Sequence, residues 1–290
     1  MIGVAFLVQQ SNGDTEKNVF QRMSAEGKSE ADVFAYVKSL NSEALLRLGR
    51  ELSVDPTWAQ PASGIEYVTA VILSAYADKV GRTAITSSLI REIEDESLPE
   101  KWRRQVLSWL SEGTRKPAND SWIGEADAEA IARSLLGVAT NVLERIDLRQ
   151  EANANLTHLL IARYESAIKS RPEKTNTMRT MYEDHLRWLT GNVVAPSSES
   201  YLNNAAITTL ALYERIGVPE ASEIKGTLLS TFNQREKLAD QDKVLLAEIL
   251  VEFGEGKKIR AEMEDCAQKL EDPALRRKFR KLLNQSPNAP

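Results

Sequence analysis

Cysteine and histidine are almost missing from this 290-residue chain, which holds one cysteine, Cys266, and two histidines, His158 and His185. A lone thiol rules out an intramolecular disulfide and any zinc site built on several thiolates. Two histidines leave little material for a histidine-rich metal centre. A strong positive charge is missing as well: 37 basic residues face 42 acidic ones, for a net charge of −5. Nonspecific polyanion binding by the whole surface is therefore disfavoured, and nucleic acid is not an expected partner. The sequence lacks a Gly-x-Gly-x-x-Gly fingerprint, a phosphate-binding Gly-x-x-x-x-Gly-Lys-Ser/Thr loop, a Gly-x-Ser-x-Gly elbow and a His-Glu-x-x-His helix. Neither histidine is preceded by glutamate at the spacing of a carboxylate-bridged di-metal bundle, since Asn155 and Tyr182 stand there. No catalytic residue, cofactor or metal is expected from these patterns.

Long apolar runs are also scarce. The most marked is Ile2-Gly3-Val4-Ala5-Phe6-Leu7-Val8, followed by the polar stretch 9–14. Seven residues cannot span a bilayer. The run has the length of a signal-peptide apolar region, yet no basic residue precedes it. It reads either as the remnant of an export signal or anchor, or as a short arm packing on the first helices. An exported or envelope-associated protein is the expectation over a cytoplasmic one. Residues 1–14 are assigned to this arm and 15–290 to a helical domain, with a sub-boundary placed near 113–124.

What the chain does have is helical periodicity. Ile131, Leu135, Val138, Val142 and Ile146 form one apolar stripe, and Leu202, Ala206, Thr209, Tyr213 and Ile216 form another. Leu246, Ile249, Leu250 and Phe253 form a third. These are the spacings of helices with one buried face. Pro99-Glu100, Pro172-Glu173 and Pro219-Glu220 mark helix starts, where proline loses no needed hydrogen bond and glutamate meets the positive end of the dipole. Ile216-Gly217 marks an end. The pattern predicts helices over 15–25, 29–39, 42–53, 64–80, 83–95, 99–112, 125–146, 148–170, 173–190, 199–216, 219–236, 240–253 and 256–285, the last broken near Asp272.

One arrangement recurs: apolar, basic, two residues, apolar, three residues, apolar. It opens at Trp102-Arg103, Leu148-Arg149, Met178-Arg179, Ile224-Lys225, Ile259-Arg260 and Leu275-Arg276. Six copies are roughly twice what this composition yields by chance, although their spacing is uneven. With Asp272-Pro273-Ala274-Leu275-Arg276, and the shorter Asp147-Leu148-Arg149, the chain resembles the HEAT-repeat family over about half its length. That resemblance implies an all-α fold of stacked antiparallel helix pairs, a HEAT-like α-solenoid or superhelix. Stacked pairs bury a continuous core that one pair cannot bury alone, and they offer an extended surface to a partner.

The candidate functional residues are few. Arg276, Arg277, Lys278, Arg280 and Lys281 put five basic residues within six positions, with no acid between Leu275 and Gln285. They form a candidate patch for an anionic partner, or else a solubilising cap on the last helix. Trp58 and Trp122 lie in proline-bearing linkers and are candidate interface aromatics. Trp102 and Trp109, two turns apart, have core spacing first. Glu183-Asp184-His185 reads as a solvated helix face, because adjacent helical residues point in different directions. His158 reads as a core-edge histidine. Glu92, Glu94, Asp95 and Glu96 read as surface charge, and Cys266 as a small buried apolar residue.

The function expected from this is a noncatalytic interaction or scaffold module that holds another protein or peptide. Two alternatives stand beside it. Trp102-Arg103-Arg104 looks faintly like the Trp- and Arg-bearing helix of the HEAT-like DNA glycosylases that remove alkylated bases. The N-terminal run fits an envelope-tethered helical module.

Overall fold

A computed structural model describes residues 15–56, 65–115, 123–169, 177–195 and 200–285. The chain divides into two compact units, Met1–Val138 and Ala139–Pro290. Among the described residues each is built from helices alone, with no strand, as the periodicity requires. None of these helices is long and apolar enough to cross a membrane.

The first unit contains α1 (Glu16–Ala25), α2 (Glu30–Ser39), α3 (Ser42–Ser53), α4 (Ile65–Val80), α5 (Arg82–Glu94), α6 (Glu100–Arg115) and most of α7 (Glu125–Thr140). The first three are started by side-chain caps. Thr15 accepts from the Asn18 amide, Ser29 from Asp32 and Asn41 from Ala44, each satisfying a donor that the opening turn leaves without a partner. From α3 to α6 each helix packs on the next, and α1 on α3, α2 on α4, and α3 and α4 on α6. Short connections between packed neighbours reverse the chain, so the pairs run antiparallel and stack. Leu45, Leu48, Leu52, Ile72, Leu73, Leu89, Trp102, Val106 and Leu107 fill the core.

The second unit contains α8 (Ile146–Ala162), the short α9 (Tyr164–Ala167), α10 (Thr177–Val194), α11 (Ser200–Arg215), α12 (Ala221–Asn233), α13 (Asp240–Glu252), α14 (Arg260–Lys269) and α15 (Pro273–Gln285). The same packing recurs: α10 on α11, α11 on α12, α12 on α13 and α14 on α15, with α10 on α12, α11 on α13 and α13 on α15. The expected end at Gly217 is present. Its φ of 70 is one that a Cβ would strain, and Val218 N–H closes the turn on the Tyr213 carbonyl at 3.2 Å. The expected start at Asp272-Pro273 is present too, with Asp272 Oδ1 accepting from Ala274 N–H at 2.7 Å.

The 125–146 helix is the clearest departure from expectation. It ends at Thr140. Asn141 then accepts from Leu143 N–H through its side chain at 3.0 Å and from Glu144 N–H through its carbonyl at 3.1 Å. This local turn competes with continued helix. Val142, assigned above to the buried stripe, is instead 78% exposed beside Leu143 at 87%.

The recurring apolar–basic motif has a definite structural use. Arg103 donates from Nε to the Ile93 carbonyl at 2.7 Å, and Arg149 to Ala139 at 3.2 Å. Arg179 donates to Ile168, and Arg276 to Leu270 at 3.1 Å from Nε and 2.6 Å from Nη2. In each case a guanidinium in the first turn of one helix closes on a carbonyl at the end of the helix before it. Those carbonyls carry the negative end of the dipole and lack intrahelical partners, and the arginine fork satisfies them at little geometric cost. Arg260 instead reaches the Leu283 carbonyl near the end of the following helix, at 3.3 Å. Lys225 pairs with Glu214 at 3.3 Å and lies over the Phe253 ring.

Candidate functional site

The densest polar chemistry of the second unit lies inside it. α8 supplies Asn153 and Thr157, α10 supplies Tyr182 and His185, and α11 supplies Thr209 and Tyr213. His185 Nε2 is 2.7 Å from Asn153 Oδ1, and Nδ1 is 3.0 Å from the Tyr213 hydroxyl. Asn153 uses its amide nitrogen to donate to Thr209 Oγ1 at 3.2 Å, so its oxygen faces the imidazole. That oxygen only accepts, which places the imidazole proton on Nε2 and leaves Nδ1 to accept from Tyr213. The ring is neutral: burial pushes the His185 pKa down to about 3. Burial also raises the Tyr213 hydroxyl far above its ordinary value. Trp188 stacks on the imidazole at 6.0 Å between centroids. His185 and Tyr213 are both 0% exposed, and with Asn153 they tie three helices, α8, α10 and α11, in one packing. The expectation of a solvated Glu183-Asp184-His185 face is thereby corrected. Asp184 pairs with exposed Arg187 at 2.6 Å, while His185 turns fully inward.

At the edge of this network Glu220, just before α12, accepts from Tyr182 at 2.8 Å and from Arg179 Nη2 at 2.6 Å. Arg179 also reaches Glu183 at 2.8 Å from Nε, and these two carboxylates hold its pKa above the ordinary value against burial.

The first unit has its own buried charge. Glu92, expected on the surface, is 6% exposed. Its Oε2 accepts from Arg50 Nε at 2.9 Å and from Trp102 Nε1 at 2.7 Å, and its Oε1 meets Arg50 Nη2. Ile85, Leu89, Glu92 and Ile93 share the inward face of α5. The carboxylate thus sits at core spacing and is neutralised there by a guanidinium and an indole. The Trp102 ring lies flush on Gly49. A Cβ at that glycine would stand 2.3 Å from Trp102 Cζ3 and 2.5 Å from Cη2. Because Nε1 is tied to Glu92, the ring has little freedom to retreat. Gly49→Ala should therefore destabilise the protein by about 1–3 kcal/mol, the overpacking cost outweighing the gain in helix propensity. A shift in urea midpoint reads this; a variant as stable as the parent would mean that the ring slides aside.

The C-terminal basic residues divide into two sets. Arg276 is half-buried and occupied by the Leu270 and Glu271 carbonyls. Arg277, Lys278, Arg280 and Lys281 are exposed, and none has an ion-pair partner among the described residues. Phe279 and Leu282 point the other way, into the core. α15 is thus a sharply two-faced helix, with about 160° of its circumference cationic. Cys266 is buried with Met263 and Ala267, as expected. Trp58 and Trp122 lie outside the described residues.

A groove of about 340 Å³ runs beside the cationic face, between α13 and α15. Another concavity, near Val193, Thr231 and Leu238, holds only about 20 Å³, room for a single water. Among the described residues no cluster of three or more His, Cys, Asp or Glu side chains is arranged to hold a metal ion. Comparison with protein-family models, with curated proteins and with solved structures finds no match to this chain.

Proposed function

We propose that this chain is a noncatalytic helical-repeat module that holds a protein or peptide partner, as its resemblance to the HEAT family implies. The observation that carries the reading is the outer face of α15, where four exposed cations without ion-pair partners among the described residues stand opposite the helix's buried stripe. Holding like charges three and four residues apart costs a few tenths of a kcal/mol for each pair. A partner with acidic groups relieves that repulsion. The most perturbed titratable groups, by contrast, serve the fold: His185 with Asn153 and Tyr213, and Tyr182 with Glu220.

Trp102 bears on the glycosylase alternative. It carries that resemblance, yet it is 0% exposed and its indole N–H is engaged by Glu92. This supports the interaction reading, since a base-stacking aromatic must be reachable.

The test leaves Arg276 in place, because that residue closes the end of α14. Arg277, Lys278, Arg280 and Lys281 are replaced together by glutamine. The variant should melt like the parent and recover several-fold less partner at physiological salt. Parental recovery should fall as salt rises, because screening shortens the reach of these charges from about 8–10 Å at physiological salt towards about 3 Å at molar salt. Equal recovery with an equal salt dependence would place any binding surface elsewhere.

A further inference from the structure

The cationic face of α15 does not stand alone. It forms one wall of the groove whose other wall is α13. Lys278 and Lys281 line the α15 side and Glu248 and Glu252 the α13 side, while half-buried Val251 and the outer edge of the otherwise core-packed Leu282 complete the lining. Glu248 and Glu252 are one turn apart on one helix face, as are Lys278 and Lys281 on the other. Arg215 fixes the Glu252 carboxylate through two bonds of 2.8 and 2.6 Å. Glu248 has no ion-pair partner among the described residues. An apolar floor between an acidic and a basic row is the layout that helices use to choose partners across a seam, with apolar knobs in the middle and charges at the flanks.

We propose that this groove receives an amphipathic α-helix of a partner protein. Its apolar stripe seats on Val251 and on the outer edge of Leu282, its acidic flank faces Lys278 and Lys281, and its basic flank faces Glu248 and Glu252. The proposal rests on the interaction reading above and specifies the partner's chemistry. Charge complementarity decides among the occupants. A phosphate backbone or an anionic lipid surface presents one sign only and would bring its charge against Glu248 and Glu252. A polypeptide helix can present both signs, segregated by the helical repeat.

Three labelled helical peptides, each three heptads long, test this against the full-length protein by fluorescence anisotropy. All share one leucine stripe, and their two flanks are Glu and Lys, Glu and Glu, or Lys and Lys. Reversing a helix in the groove exchanges its flanks, so the mixed peptide is able to find the matched orientation whichever side carries its acids. It should bind roughly tenfold more tightly than either single-sign peptide. Lys278→Glu with Lys281→Glu should abolish that preference and favour the Lys/Lys peptide, with an unchanged circular-dichroism melt. The strongest binding by the Glu/Glu peptide would make α15 a simple polyanion face and overturn the groove. Binding no better than that of a peptide with a scrambled stripe would overturn it as well. If the peptides fail while the four-glutamine variant still loses its partner, the groove falls and the interaction reading stands. If both experiments fail, both fall.

Discussion

Replacing Trp102 with alanine should cost the protein about 3–5 kcal/mol, the largest single-residue effect expected in the first unit. The indole is wholly enclosed, with Val106 and Leu107 next along its helix and Gly49 against its six-membered ring. Truncation leaves a cavity that the backbone at Gly49 cannot fill, because that glycine has no side chain to move inward. It also strips Glu92 of its indole donor, leaving the buried carboxylate to Arg50 alone. Trp102→Phe separates the two contributions. It keeps most of the ring volume and removes the N–H, so it should cost about 1–3 kcal/mol. Urea denaturation followed by circular dichroism measures both. An alanine variant that unfolds at the parental midpoint would show that the ring contributes no packing.

The second large effect should appear on acidification. His185 is neutral in the folded protein with a pKa of about 3, against 6.5 when exposed. Between those values the unfolded chain binds a proton that the native state does not. Stability from this site is therefore complete above pH 6.5 and falls by about 1.4 kcal/mol for each pH unit below it. The loss approaches roughly 4–5 kcal/mol near pH 3, where the native ring also protonates. Exposed carboxylates with lowered pKa, such as Glu252 beside Arg215, lose their stabilising effect only at the acidic end of this range. Between pH 4.5 and 6.5 the histidine should dominate. His185→Gln removes the titration while keeping an amide able to donate and accept, so its unfolding free energy should be flatter with pH over that interval. Parallel pH profiles for parent and variant would refute this account.

Much of the architecture was legible in the sequence because amphipathic helices repeat their pattern over many residues. Gly217 and Asp272-Pro273 marked boundaries by local chemistry, and both act as expected. α7 was read too long because Val142 fits the stripe of Ile131, Leu135 and Val138 by spacing alone. The competing signal was Asn141, whose side chain can close a turn on its own neighbours. Glu92 and His185 were misread by residue type. Each occupies a core position in an otherwise apolar series: Ile85, Leu89, Glu92 and Ile93 in one helix, Met178, Tyr182, His185, Leu189 and Val193 in the other. A polar residue at core spacing signals a buried bond, but its partners come from other helices. Asn153 is 32 residues away from His185, and Arg50 is 42 away from Glu92. No local pattern names them. The basic cluster was legible as composition, while the separation of Arg276 from its four neighbours required the end of α14 to be in view.

The arginines that close on the preceding helix also fix distances along the chain. Ile93 to Arg103 and Ala139 to Arg149 each span ten residues, and Ile168 to Arg179 spans eleven. A guanidinium reaches its carbonyl only if the connector between them keeps its length. Adding or deleting a residue there would turn the arginine away from its acceptor and bury an unpaired charge. Length variation among descendants of this sequence should therefore avoid the α5–α6 and α7–α8 connectors, even though both lie on the surface, where insertions are ordinarily tolerated. The motif that reads as a row of charges works as a ruler for the chain, and a permuted or tagged form of the protein has to be cut elsewhere.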